Sequence, residues 1–121
     1  MRATVLSSVL VLAVSPAVAQ DVAQTLELNR EAVDQNKRVI VAGSLPLSDS
    51  QADAFWPLFD AFQKDLKKID QRADRLIADY VARYGTLSGD RARAMIDEAL
   101  RIEEDRVKLK RRWLKRMEPA L

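Results

Sequence analysis

An apolar seam with a period of seven residues runs through the middle of the chain and constrains its fold more than any other feature. Two lines of apolar residues make up the seam: Phe55, Phe62, Ile69 and Leu76, and beside them Phe59, Leu66, Ala73 and Tyr80. This spacing is typical of a long α-helix that packs against a partner helix along one face. The sequence therefore predicts a helical protein in which this helix needs at least one neighbour.

Residues that favour helix termini mark both ends of the long helix. The Ser48 hydroxyl can accept a hydrogen bond from the Gln51 backbone while the Gln51 side chain returns to the Ser48 N–H, which is a capping box. The helix ends before Gly85, which gives it about 36 residues and a length of roughly 54 Å. Pro57 predicts a kink, and the alternative is that residues 48–55 form a separate turn and the long helix begins at Pro57.

A third helix is predicted after a short turn at residues 86–90, with Ser88 or Thr86 as its N-cap. Its apolar residues fall on one face: Ala92, Met95, Ala99, Ile102, Leu109, Trp113 and Met117. Because the turn is short, the two helices should be antiparallel neighbours.

In an antiparallel hairpin, the numbers of two facing residues add up to a nearly constant value, and this fixes which residues pair. This register pairs apolar residues with each other, for example Leu66 with Leu109. Phe62 pairs in the same way with Trp113. Arg106 is the one discordant position, since it falls opposite an apolar residue. We expect its side chain to reach outward to an acid such as Asp65 or Asp70.

A shorter N-terminal helix is predicted over Val22–Val41, and the Gly and Pro residues at 43–46 end it. The two long helices present more apolar surface than one seam can cover. The N-terminal helix, a second subunit or a bound client could cover the remaining apolar surface. The fold class predicted is all-α, a long antiparallel helical hairpin with a shorter N-terminal helix in a single domain over residues 20–121.

Residues 1–19 have the pattern of a secretory signal peptide. Arg2 supplies a positive start, residues 4–14 are almost uninterruptedly apolar, and Ala17 and Ala19 form a small-x-small cleavage pattern. A membrane anchor is the alternative, but an apolar run of about eleven residues is well short of the ~20 that span a bilayer. We therefore expect an exported protein located in a bacterial periplasm.

The composition excludes several kinds of catalytic and metal site. The chain contains no Cys and no His, so thiolate and imidazole chemistry are excluded. The carboxylates show no pairing around an apolar pocket of the kind that marks general acid–base catalysis. We predict a protein that is not an enzyme and has no catalytic residues, no cofactor and no metal site.

Charge is segregated along the third helix, although the whole chain carries a formal charge of only +2. Acidic residues precede a stretch, residues 106–116, in which seven of eleven positions are basic. This stretch is either a solvated helix end, whose cations interact favourably with the helix dipole, or a patch that attracts anionic partners. Nucleic acid is not expected as a partner of an exported chain, and no stable membrane insertion is expected after signal cleavage.

The segment Leu47-Ser48-Asp49-Ser50-Gln51 resembles the LTxxQ motif of the periplasmic Spy/CpxP-like family, with Ser in place of Thr. Residues 55–57 and the turn at 87–90 are similar to a Phe-Trp-Pro subgroup of such proteins. The resemblance implies a dimeric, cradle-shaped helical protein that binds unfolded clients without ATP or restrains an envelope-stress sensor kinase. The sequence departs from the family at its end: it stops at residues 118–121, about where the family's last helix would begin, so that helix is not expected here. Of the family's functional residues, only Leu47, Ser48 and Gln51 carry over, and capping gives them a structural role.

These observations predict a periplasmic, ATP-independent chaperone-like protein that binds unfolded or misfolded envelope proteins through a basic amphipathic surface. The residues predicted to bind clients or partners are Trp56, Leu100, Arg106, Val107, Lys108, Arg111, Arg112, Leu114 and Lys115. One alternative is a regulatory partner of a sensor kinase or another single envelope component. Another is interfacial membrane binding by the third helix.

Overall fold

The computed structural model describes residues 16–121, and within that range the chain forms three long helices and no strand. The helices are α1 (Pro16–Ser44), α2 (Asp49–Arg83) and α3 (Gly89–Met117). Short 3₁₀ turns at Tyr84–Thr86 and Glu118–Ala120 follow α2 and α3. The all-α prediction is confirmed. Most of the predicted signal peptide lies outside the described residues, and positions 16–19 form the first turn of α1.

The N-terminal helix is longer than the sequence predicted. It spans 29 residues, as many as α3, and extends beyond Val22–Val41 at both ends. Helix α1 buries little of its surface, so its sequence has only a weak apolar periodicity. That weak pattern did not indicate the full length of the helix.

The capping box at the start of α2 is confirmed. The Gln51 N–H donates to Ser48 Oγ at 3.2 Å and the Ser48 N–H donates to Gln51 Oε1 at 2.9 Å. The Gln51 side-chain amide also donates to the Leu121 carbonyl oxygen at 2.8 Å, so the same residue holds the end of the chain. Ser88 is the N-cap of α3 and accepts from the Arg91 N–H at 3.2 Å.

Pro57 lies inside α2, which runs through it as one helix. The alternative in which the long helix begins at Pro57 is wrong. Pro57 and Asp53, whose carbonyl loses its helical partner, are both exposed, so water can replace the missing hydrogen bond.

The α2–α3 pair contains most of the apolar core. Leu66, Leu109 and Trp113 form one buried cluster, against which Phe62 packs with its ring centroid 6.4 Å from that of Trp113. The predicted hairpin register is thereby confirmed at these positions. Ile102, only 1% exposed, is the most deeply buried large residue of the described chain.

A second buried cluster joins the end of the chain to the beginning of α2. It consists of Phe55, Phe59 and Ala120, with half-buried residues of the α1–α2 connection packed against it. Leu47 is one of these half-buried residues. Its role, like that of Ser48 and Gln51, is therefore to fix the start of α2.

Helix α1 packs on α2 mainly through charged side chains. None of the residues 17–44 is buried, and Val33, Val39 and Ile40 are each more than half exposed. Lys67 of α2 donates to Glu31 at 3.0 Å, and this hydrogen bond raises the pKa of Lys67. Arg38 pairs with Asp60 further along, so α1 runs antiparallel to α2. Both α1 and α3 pack on α2 and not on each other.

Candidate functional site, a groove along the central helix

Two buried carboxylates on α2 join all three helices. Asp74 is 5% exposed and accepts from Arg30 Nε of α1 at 2.8 Å. Asp70 is 6% exposed and accepts from Arg106 Nη2 of α3 at 2.7 Å, with Arg30 Nη1 3.6 Å away. Buried carboxylates need such partners, because an unpaired buried charge is strongly unfavourable.

Arg106 has the predicted partner but not the predicted direction. Asp70 was one of the two acids expected to pair with it, and that pairing is confirmed. The outward direction is wrong, since Arg106 turns inward to a buried carboxylate and its side chain is only 18% exposed. Burial acts to lower the pKa of Arg106, but hydrogen bonds to Asp70 and Glu103 outweigh it, so the pKa is raised. Asp65, the other candidate, instead accepts from Trp113 Nε1 at 3.2 Å.

A groove of about 680 Å³ runs along α2 between α1 and α3, and we call it the central groove. Its floor belongs to α2, and one wall comes from each of the other helices. The lining residues are Phe59, Phe62, Gln63, Leu66, Asp70, Ala73 and Ile77 on the floor, Arg30, Lys37 and Val41 on the α1 wall, and Glu103, Arg106 and Lys110 on the α3 wall. From Phe59 to Ile77 the groove is roughly 27 Å long, at 1.5 Å per residue.

The central groove combines a mostly apolar floor with mainly cationic walls, which carry four basic residues and one acidic residue, Glu103. Arg30 and Arg106 are occupied by the buried carboxylates, and Lys37 pairs with Asp34 at 3.2 Å. Lys110 is exposed and has no ion-pair partner among the described residues. The side-chain nitrogen of Gln63 is buried with no hydrogen-bond partner in the described structure. The floor therefore holds an unused donor beside an apolar surface.

Most of the predicted binding residues lie outside this groove, on the exposed side of α3. Leu100, Val107 and Leu114 are about half exposed, at 57%, 48% and 55%. Four basic residues accompany them, each of them exposed: Lys108, Arg111, Arg112 and Lys115. We call these seven residues the outer face of α3. The structure thus brings seven of the nine predicted residues together.

Trp56 and Arg106, the other two predicted residues, have different surroundings. Trp56 is half-buried and packs edge-on against Phe55 and Phe59, at centroid distances of 5.1 and 5.4 Å. The guanidinium of Arg38 lies 4.5 Å from the centre of its ring. Trp56 therefore lies where α1, α2 and the core meet, whereas Arg106 belongs to the wall of the central groove.

Sequence reasoning missed Asp70, Asp74, Arg30 and Gln63 as components of a site. The spacing of four residues between Asp70 and Asp74 indicates a shared helix face, and this was the available signal. Nothing in the sequence distinguishes that pair from solvated acids, because their burial depends on Arg30, which lies 44 residues from Asp74.

Comparison of the chain with models of known protein families, with curated proteins and with solved structures finds no match. The likeness to LTxxQ proteins therefore stays a prediction. Within residues 16–121 no group of three or more potential metal ligands comes together. No helix in the same range is long and apolar enough to cross a membrane.

Proposed function

We propose that the protein is an ATP-independent, chaperone-like binding protein of the periplasm that holds unfolded or misfolded envelope proteins in the central groove. The observation that supports this function best is the combination of a mostly apolar floor with mainly cationic walls. The groove, roughly 27 Å long, fits an extended client segment of about eight residues at 3.3 Å per residue. Such a segment could cover its apolar side chains on Phe62 and Ile77, the floor residues that reach the surface, while its acidic residues face Lys37 and Lys110.

Binding should be weak and rapidly reversible. The floor exposes little apolar surface, because Phe59 and Leu66 are buried. Much of the cationic charge is already paired with Asp70 and Glu103. Attraction of acidic clients then depends on charges at the surface, which salt screens over about 8 Å at physiological ionic strength. We expect client capture to weaken as salt is raised.

The test is light scattering from two or three unrelated proteins as they unfold, with and without this protein, at low and high salt. The informative variant is Lys37→Glu with Lys110→Glu, which reverses one charge on each wall. The matched control is Lys64→Glu with Arg93→Glu, which makes the same change at exposed positions outside the groove. Circular dichroism serves to check that each variant is folded.

We expect the wild type and the control to suppress scattering from several clients, and the groove variant to suppress it much less. A folded wild type that suppresses none of them would exclude the chaperone function. Co-purification of one stoichiometric partner would then favour the alternative, a regulator that docks on a sensor kinase or another single envelope component.

A further inference from the structure

The outer face of α3 carries a straight line of apolar side chains with no partner in the described structure. Leu100, Val107 and Leu114 are seven residues apart, which is nearly two helical turns, so they point to the same side. Each is about half exposed, and none belongs to a buried cluster. The line faces away from α2, which contacts α3 through Ile102, Leu109 and Trp113.

Basic side chains flank the C-terminal part of this line. Between residues 107 and 117 there are six basic residues and no acidic one. None of these six forms an ion pair among the described residues. By contrast, Arg72 and Arg106, which reach across from one helix of the hairpin to the other, are both paired with carboxylates. The positive charge of this segment is therefore available to an external anion.

The acidic residues of α3 limit the surface to its C-terminal half. Glu103 and Glu104 are both exposed and lie beside Leu100 and Val107 in a shallow depression. They would repel an anionic partner. The segment from Val107 to Arg116 contains no such residue, so an anionic surface should approach the helix from that end.

From this geometry we infer that residues 107–116 are a docking surface for the anionic headgroups of a lipid bilayer. Apolar residues in line, with long cationic side chains beside them, suit a helix lying in the interface. There the apolar groups enter the headgroup region while the cations reach phosphates. The surface lies on the side of a single helix that faces away from α2, so a flat bilayer can reach its whole length. A folded acidic protein would need a matching concave groove.

Binding should be peripheral and reversible. Only two exposed apolar residues, Val107 and Leu114, lie within the cationic segment, and a polybasic surface of this size is released by salt. The inference does not depend on the proposed function, because the outer face and the central groove are separate surfaces of α3. Lys110 lies beside both, so it is left unchanged in the variants below.

The experiment is flotation of the full protein with phosphatidylcholine vesicles and with vesicles in which part of that lipid is replaced by phosphatidylglycerol. The informative variant is Lys108→Glu with Arg111→Glu and Lys115→Glu. The matched control reverses three exposed charges in the N-terminal half of the same helix, Arg91→Glu with Arg93→Glu and Arg101→Glu. A further variant, Leu114→Ser, removes one apolar contact and keeps every charge.

We expect the wild type to float with the anionic vesicles only, and to lose this binding at high salt. The informative variant should bind at least about tenfold more weakly, from the usual contribution of each cation near an anionic surface, and the control should retain binding. Leu114→Ser should bind measurably more weakly than the wild type.

Three results would overturn the inference: no flotation by a protein that circular dichroism shows to be folded, equal flotation with both kinds of vesicle, or equal losses in the two charge-reversal variants. Competition by soluble polyglutamate as strong as that by anionic vesicles, together with no effect of Leu114→Ser, would also overturn it and would indicate an acidic polypeptide partner.

Discussion

Asp70 is the residue on which the arrangement of the three helices depends most directly. It accepts from Arg106 of α3, lies 3.6 Å from Arg30 of α1 and is only 6% exposed. Arg30 is shared with Asp74, so the four side chains form one connected network. A network of this kind stabilises a fold only while every charge has a partner.

Replacing Asp70 with Asn should therefore destabilise the protein. The change keeps the shape of the side chain but leaves the half-buried guanidinium of Arg106 without its main counter-ion. We expect the free energy of unfolding to fall by about 3 kcal/mol, the usual loss when one partner of a buried ion pair is removed. Urea denaturation followed by circular dichroism measures this loss.

Asp79→Asn is the matched control for that change. Asp79 also lies on α2 and pairs with Arg83 at 2.7 Å, but both side chains are more than two-fifths exposed. An exposed pair on one helix contributes about 0.5 kcal/mol or less. Equal losses in the two variants would mean that burial of Asp70 has no energetic consequence.

At the scale of the elements, α2 and α3 form an apolar hairpin with ionic contacts at its edge. Arg72 of α2 donates to Asp105 at 2.7 Å and to Glu98 at 3.2 Å, both on α3. The hydrogen bond from Arg72, together with the charges of Arg72 and Lys108, lowers the pKa of Asp105 despite some opposing desolvation. The protein is therefore stabilised by keeping Asp105 ionised.

The pH dependence of the hairpin follows from that lowered pKa. A carboxyl whose pKa is lower in the folded state contributes stability that is present above its unfolded pKa and lost as the pH falls through the folded pKa. In the wild type, the urea midpoint should therefore decline more steeply below about pH 4 than in Asp105→Asn. Parallel declines in the two proteins would contradict this attribution.

The contact between α1 and α2 is of a different kind from that between α2 and α3. Apart from the paired arginine at Asp70 and Asp74, its ion pairs are exposed, and α1 contributes no buried residue within 17–44. Exposed ion pairs weaken when salt screens them, whereas apolar packing does not. Helix α1 should therefore be the least stably docked of the three helices.

Hydrogen exchange measures this difference directly. Raising sodium chloride to about 1 M shortens the screening length to about 3 Å, and exchange of the α1 amides should accelerate. The amides of α2 and α3 around Leu66, Leu109 and Trp113 should change little. Equal acceleration in all three helices would show instead that the protein opens as one cooperative unit.

At the scale of the whole molecule, the apolar core is small for the length of the chain. Seven apolar residues are buried in the described part, while thirteen large apolar residues are exposed. Two helices flank α2 without contacting each other, so much of each helix faces solvent. We expect a free energy of unfolding near the lower limit for a chain of this size, about 5 kcal/mol.

Urea unfolding at low protein concentration tests that expectation, because dilution removes any contribution from self-association. A value above about 10 kcal/mol at this dilution would contradict the expectation. A value that rises with protein concentration would show that a second copy of the chain covers the exposed apolar residues, as the LTxxQ resemblance implies.

The sequence by itself determined α2, α3 and the hairpin that they form. The seven-residue seam, the capping box of Ser48 and Gln51 and the turn before Ser88 act between residues close together in the chain. Each of them specifies local structure without depending on contacts between distant parts of the chain. The pairing of Leu66 with Leu109 followed, because a short turn permits only one antiparallel register that buries both apolar faces.

Only the tertiary structure decided where α1 lies and which contacts and which groove it forms with the other helices. Its surface is polar and offers no strong apolar pattern, so several alignments on α2 would bury similar areas. The alignment is selected by single contacts between distant residues, chiefly Arg30 with Asp74. That alignment brings Arg30 to Asp70 and Asp74 and supplies one wall of the central groove. Neither feature follows from the order of residues within one helix.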